Sequence, residues 1–284
     1  MRRLAARAAH YGLLAALAAF FLAPLLVMFV SAFKSNELQL LRDLGSTRAF
    51  LPCGELSLHN FSAVLADTPF LRALANSLGT VGITVALGIL VNSMLAYALA
   101  RFRFRGRDSL LAAIITLIII PFESLALPLL MLVNQLPWFG GHGWLNSYHV
   151  QILPFIAHPF SIYLFHQAFA ALPKDLEEAA RMDGASRWRI YWSIALPLAK
   201  PVIATVAVLQ FLARWGDLLW PVLVVRGAGH ATLPLAMQTF FGQYPRHWGE
   251  VMAFAALATL PTLALFLAIQ GWFVRGVVSS GIKG

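Results

Sequence analysis

Charged side chains are scarce in this chain. Of its 284 residues only 12% are Asp, Glu, Lys or Arg, while 60% are hydrophobic and the mean hydropathy is +0.74. A soluble domain carries about a quarter charged residues. This chain therefore has too little polar surface to cover a water-soluble globule, and a lipid-facing exterior removes the difficulty. Cysteine is scarcer still: Cys53 stands alone, which excludes an intrachain disulfide framework. The 12 acidic residues are outnumbered by 21 basic ones, for a formal net charge of +9. No nucleic-acid-binding signature accompanies that surplus. The basic residues fall in short connections between apolar runs, where Lys and Arg set membrane topology, so nucleic acid is not an expected partner. His158 and His166 lack metal-ligand spacing, and no Ser/His/Asp constellation has a catalytic context. No catalytic or metal-binding residue is assigned. Repeats, low-complexity tracts and a soluble domain are also missing.

What the chain has is apolar length. A membrane helix needs about 20 mostly apolar residues, and six stretches qualify: Tyr11–Phe33, Arg72–Ala100, Ser109–Val133, Val150–Ala171, Pro201–Val225 and Val251–Val274. The first is too long for the core of a cleaved signal and reads as a retained signal-anchor helix. The predicted class is an all-α integral membrane protein, one transmembrane domain over residues 1–284. Lys and Arg are unevenly shared. Arg2, Arg3 and Arg7 precede the first span, and Arg101, Arg103, Arg105 and Arg107 follow the second. Lys174, Arg181, Arg187, Arg189 and Lys200 follow the fourth, and Arg275 and Lys283 the sixth. The opposite side has only Lys34, Arg42, Arg48, Arg226 and Arg246, which places both termini in the cytoplasm. Thr68 and Pro69 form a good N-cap and N1 pair for a long second helix. The first outer loop, from about Lys34 to Asp67, reads as ordered but not as a domain.

The connection between the fourth and fifth spans, residues 172–200, is patterned as two short helices. Pro173 can open the first; Asp175, Glu177 and Glu178 suit its early turns and Arg181 its end. Leu176, Ala179 and Ala180 share a face. Gly184 supplies a left-handed stop, and Ser186 can cap a second helix carrying Trp188, Ile190, Tyr191 and Ile194. Small residues permit close approach by another protein, and Glu177, Glu178 and Asp183 offer charge-assisted contacts to a basic partner. An interfacial helix resting on lipid headgroups is the alternative, although acidic residues suit an anionic inner leaflet poorly.

Glu178-Ala179-Ala180, three residues, Gly184, nine residues, then Ile194-x-Leu196-Pro197 resembles the EAA motif of ABC importer permeases. The longer form, EEAARMDGAS…LPLAKP, is similar to the shorter inner-membrane subunit of maltose-type carbohydrate importers. Asn76-Ser77-Leu78, the run Ala96 to Phe102, Trp215-x-x-Leu218-Leu219-Trp220-Pro221 and the closing Gly281-Ile282-Lys283-Gly284 agree with that branch. The resemblance implies the type I importer transmembrane fold, with the 172–200 loop as a coupling helix seated on a cytoplasmic ATPase. Glu177, Glu178, Ala179, Ala180, Asp183 and Gly184 are the coupling candidates. It implies as partners a second homologous permease, two copies of the ATPase, an extracytoplasmic solute-binding protein and membrane lipid. The chain has no G-x-x-x-x-G-K-[S/T] phosphate loop, so it is not expected to be an enzyme. It is expected to bind no cofactor itself, with ATP and Mg²⁺ held by the ATPase subunits. A sugar is the implied solute, and a glycerol phosphate compound the alternative.

Polar residues inside the spans are candidates for the translocation path, because ionised groups at mid-membrane cost roughly 2.5–3.5 kcal/mol and need a partner or an aqueous cavity. Arg214 and Asp217, three apart, form either a structural pair or a wall of the path, with Trp215 or Trp220 offering an aromatic face to a sugar ring. Glu123 is a path or gate residue or a structural acid; Asn92 is a ligand contact or interhelical glue. A proton-driven secondary transporter would show an inverted repeat and interrupted helices, neither of which is visible in the sequence.

Overall fold

The computed structural model describes the backbone of residues 2–138 and 141–280 and the side chains of residues 7, 9–137 and 143–268. The closing motif, residues 281–284, lies outside the described residues. In chain order the helices are α1 (Arg2–Ala32), α2 (Glu37–Leu44), α3 (His59–Asp67), α4 (Phe70–Arg101), α5 (Arg107–Leu117), α6 (Phe122–Gln135), α7 (Tyr148–Ile152), α8 (Pro159–Ala171), α9 (Lys174–Met182), α10 (Arg187–Ile190), α11 (Leu196–Leu198), α12 (Lys200–Trp215), α13 (Leu219–Val224), α14 (Leu233–Phe241) and α15 (Trp248–Ser280). A π-helical turn, Tyr191–Ala195, joins α10 to α11. A two-residue antiparallel ladder pairs Pro137–Trp138 with Gly141–His142.

Among the described residues three single helices are long and apolar enough to cross a membrane: Ala9–Ala32, Phe70–Arg101 and Trp248–Ala268. The third and fifth apolar stretches are broken. Between α5 and α6 the chain bends by 105°, ending at Pro121, which has no N–H to continue the ladder. The segment Arg187–Leu198 meets α12 at 75°, and a further break at Gly216–Leu218 separates α12 from α13. Interrupted helices, invisible in the hydropathy, are therefore present. The fourth stretch is also not one helix: α7 runs into the 3₁₀ turn Leu153–Phe155, and α8 restarts behind Pro159 with 13 residues, about 20 Å at 1.5 Å per residue. The 32 residues of α4 span about 48 Å, more than the roughly 30 Å hydrocarbon core. Thr68 does not cap α4. Its hydroxyl donates back to the Val64 carbonyl at 2.6 Å, closing α3, and α4 begins at Phe70.

The chain divides into two units. The first comprises residues 1–74 and 235–264. Its connection over residues 34–67 is ordered, as expected, around a buried ion pair: Lys34 Nζ donates to Asp43 Oδ2 at 2.7 Å and to the Arg48 carbonyl at 3.0 Å. Asn60 Nδ2 donates to the Ala32 and Lys34 carbonyls, both at 2.9 Å. The Glu37 carboxylate accepts from the Trp248 and Gly249 N–H groups at 2.8 and 3.3 Å, meeting the positive end of α15.

The second unit comprises residues 75–234 and 265–284. Its core gathers Tyr97, Phe165, Phe169, Tyr191, Ala195 and Val206. Gly88 on α4 lets that helix approach α12: a Cβ there would collide with the Gln210 side chain. The Asn76-Ser77 pair secures the same helix. Asn76 Nδ2 donates to the Gly229 and Ala231 carbonyls at 3.1 and 2.9 Å, and Ser77 Oγ accepts from Leu233 N–H at 2.7 Å.

Candidate functional site

The 172–200 connection folds into a helical elbow. Pro173 stands at the N-cap of α9 instead of opening its first turn. At the other end Gly184 adopts φ +77°, and two backbone bonds close the turn: Ala185 N–H to Ala180 O at 2.9 Å and Gly184 N–H to Arg181 O at 3.0 Å. This is the paired 6→1 and 5→2 closure that favours glycine in the left-handed region. Ser186 then caps α10 as expected, its hydroxyl accepting from Arg189 N–H at 3.3 Å.

Which face of α9 points outward differs from the sequence expectation. Glu177, grouped with the partner-facing acids, is turned inward and is 5% exposed. Its Oε1 lies 3.0 Å from Arg101 Nε, in ionic contact without hydrogen-bond alignment, and its Oε2 accepts from an Arg181 guanidinium nitrogen at 3.3 Å. Arg101 also donates from NH2 to the Leu172 carbonyl at 2.7 Å. Leu176 is not a core residue; it is exposed together with Glu178, Ala179, Asp183 and Gly184, and Met182 is 88% exposed. Ala180 is half-buried. The solvent face of the elbow thus carries the acids Glu178 and Asp183, the small residues Ala179 and Gly184, and uncovered apolar side chains.

Behind the elbow, Tyr97 of α4 packs edge-on against Phe102 and Phe169, with centroids at 5.8 and 5.5 Å, and against Tyr191 at 5.3 Å. The Tyr191 hydroxyl is 2.7 Å from Ser93 Oγ. A largely apolar cavity of about 390 Å³ lies at the base, between Met94, Tyr97, Phe102 and the Arg187–Tyr191 segment. Arg187 stacks over Phe102 at 4.7 Å. The elbow is therefore fastened to the C-terminal end of α4, a connection that no local pattern announces. Arg101 was legible only as one of four clustered arginines.

The path candidates are mostly packed together. Asn92 is fully buried: its Nδ2 donates to the Ile156 carbonyl at 3.0 Å and its Oδ1 accepts from His158 N–H at 2.9 Å. It is interhelical glue at the break before α8, not a ligand contact. Trp220 is also a core residue, 1% exposed, with Nε1 donating to the Val150 carbonyl at 2.8 Å, so its ring offers no face to a sugar. Arg214 donates to Asp217 Oδ2 at 2.9 Å and stacks over Phe155 at 3.9 Å. Asp217 Oδ1 accepts from Trp220 N–H at 3.4 Å. The cavity these groups share with Thr80, Thr84 and Gln151 is about 20 Å³. That volume is enough for one water and far below the roughly 300 Å³ of a small ligand pocket. The pair bridges the break between α12 and α13. Trp215 stacks on Phe211 at 5.2 Å and is half-buried. Glu123, in the first turn of α6 just past the 105° bend, is exposed. An acid there suits the helix dipole.

Comparison with known proteins adds to this geometry. The sequence pattern of the family described as binding-protein-dependent transport system inner membrane component matches residues 85–279. The arabinooligosaccharides transport system permease protein AraQ of Halalkalibacterium halodurans is 34% identical over 262 residues, covering 92% of this chain and 91% of the relative. The sn-glycerol-3-phosphate transport system permease protein UgpE of Yersinia enterocolitica is 35% identical over 217 residues, 75% of each. A chain from the crystal structure of a bacterial ABC transporter involved in the import of the acidic polysaccharide alginate superposes with a TM-score of 0.80 at 22% identity, over 93% of this chain and 95% of that one.

Proposed function

Because this chain belongs to the family of binding-protein-dependent transport system inner membrane components, we propose that it is one permease subunit of an ATP-driven importer for a sugar or sugar-like solute. Its fold is that of a type I ABC importer transmembrane domain, and it is a multi-pass protein of the bacterial inner membrane. In this reading it crosses the bilayer six times, with α5–α6, α7–α8 and α12–α13 as broken crossings and both termini in the cytoplasm. It forms half of the translocation path beside a second homologous permease. An extracytoplasmic binding protein delivers solute, and two copies of a cytoplasmic ATPase hydrolyse ATP with Mg²⁺.

The observation that carries this reading is the elbow. Its outward face presents Glu178, Ala179, Asp183 and Gly184 beside the uncovered Met182, and its inward face is clamped to α4 through Arg101. A surface that is acidic, small and apolar within about two turns suits a protein cleft better than water or anionic headgroups. Seated in an ATPase, such an elbow moves as the ATPase closes and carries the attached spans with it.

Reversing Glu178 to Lys tests this. A misplaced charge in an interface costs several kcal/mol, so uptake should fall by about tenfold or more at 1.4 kcal/mol per decade, with membrane insertion unchanged. Normal uptake in that variant counts against the coupling role. The UgpE likeness supports a second reading, in which the solute is a glycerol phosphate compound. The solute retained by the co-purified binding protein separates the two.

A further inference from the structure

Arg101 is the last residue of α4, and its guanidinium holds two separate points of the elbow. It donates to the Leu172 carbonyl at 2.7 Å, where α8 has just ended, and stands 3.0 Å from the Glu177 carboxylate in the first turns of α9. Both side chains of the ion pair are 6% exposed, so little solvent screens the contact. The second carboxylate oxygen is taken by Arg181, four residues along the same helix. Arg101 meets the carbonyl and the carboxylate with two different nitrogens, Nη2 and Nε, a fixed spread that the single nitrogen of an ammonium on a flexible stem does not reproduce. The elbow's own covalent connections lead to the fourth and fifth spans. Arg101 adds a noncovalent one, to the second.

We propose that Arg101 and Glu177 are positioning residues that transmit the motion of the coupling elbow to the second span, so that α4 moves with α9. This rests on the reading of the elbow as the ATPase-docking element and deepens it. Glu177 lies on the face of α9 opposite the docking surface, so the pair is needed for transmission and not for docking.

The test uses the assembled transporter in proteoliposomes, with solute uptake and ATP hydrolysis measured together. In Arg101→Met and Glu177→Gln the ATPase should co-purify as with wild type, while solute moved per ATP hydrolysed falls by about tenfold, within the usual range of intersite coupling. Arg101→Lys should lie between, because an ammonium keeps the charge but loses the two-nitrogen spread of the guanidinium. The exchanged pair Arg101→Glu/Glu177→Arg should recover part of the ratio that the single charge removals lose. A role limited to stability would lower yield and thermal midpoint and leave the ratio untouched, and that result overturns the proposal. Loss of the ATPase from the purified Arg101→Met or Glu177→Gln complex also overturns it, since the pair would then shape the docking face. If Arg101→Met does not insert, Arg101→Lys decides, and a wild-type ratio there is refuting. Failure of the underlying reading looks different: Glu178→Lys would leave uptake and ATPase association intact.

Discussion

The Ser93–Tyr191 contact makes a prediction whose asymmetry follows from one hydrogen. The two hydroxyl oxygens are 2.7 Å apart, and Ser93 Oγ is also 3.2 Å from the Leu90 carbonyl. Either hydroxyl could donate to the other, but the arrangement that gives both buried hydrogens an acceptor has Ser93 donating to the Leu90 carbonyl and Tyr191 donating to Ser93. Tyr191→Phe then removes one donor and leaves Ser93 still bonded to Leu90, a net loss of about 1 kcal/mol. Ser93→Ala leaves the Tyr191 hydroxyl, on a residue 2% exposed, without an acceptor, and stranding a buried donor costs about 1–3 kcal/mol. Once Tyr191 is Phe, Ser93→Ala strands nothing and should add little. Thermal unfolding in detergent, followed by intrinsic tryptophan fluorescence, reads the cycle at about 2–4 °C per kcal/mol for a chain of this size class. The expected order is Ser93→Ala the most destabilised, with Tyr191→Phe and the double variant close together and nearer wild type. If the two single effects add in the double variant, or if Tyr191→Phe is the worse of the pair, the assigned direction of the bond is wrong.

Two further expectations follow from the geometry. At Gly184 a Cβ meets nothing within 4 Å, so Gly184→Ala costs only the left-handed backbone, about 1–2 kcal/mol; the loss of ATPase association should rank Asn below Ala below Val, and a loss that follows side-chain size, with Ala the mildest, would point to a steric cause. In the outer loop, Lys34→Met leaves the buried Asp43 carboxylate unpaired, which costs about 3–5 kcal/mol; limited proteolysis of residues 34–67 should accelerate, and Lys34→Met/Asp43→Leu should restore protection.

Much of the 172–200 elbow was legible in the sequence because its cues are local. Gly184 stops α9 and Ser186 caps α10 through bonds to residues within five positions, so spacing alone locates them. Apolar run length likewise located α1, α4 and α15. Its failures share a cause. Hydropathy averages over a window and passes through Pro121 and Gly216, where the backbone breaks. Thr68 looked like a cap for the helix ahead and bonds to the helix behind. Asn92 and Trp220 looked like path residues because polar and aromatic groups in a span attract that reading, yet both close bonds inside the core.

Composition and run length by themselves determined that the chain lives in a membrane, and the cues from Pro173 to Ser186 that a helical elbow joins its fourth and fifth apolar stretches. Only the tertiary structure decided which acid of the Glu177–Glu178 pair faces outward. Adjacent helical residues lie about 100° apart, and what occupies the inward side is a guanidinium from a helix that ends 71 residues before the Leu172 carbonyl it also binds. Pairing at that separation leaves no local periodicity, because it depends on where two helix ends meet in space.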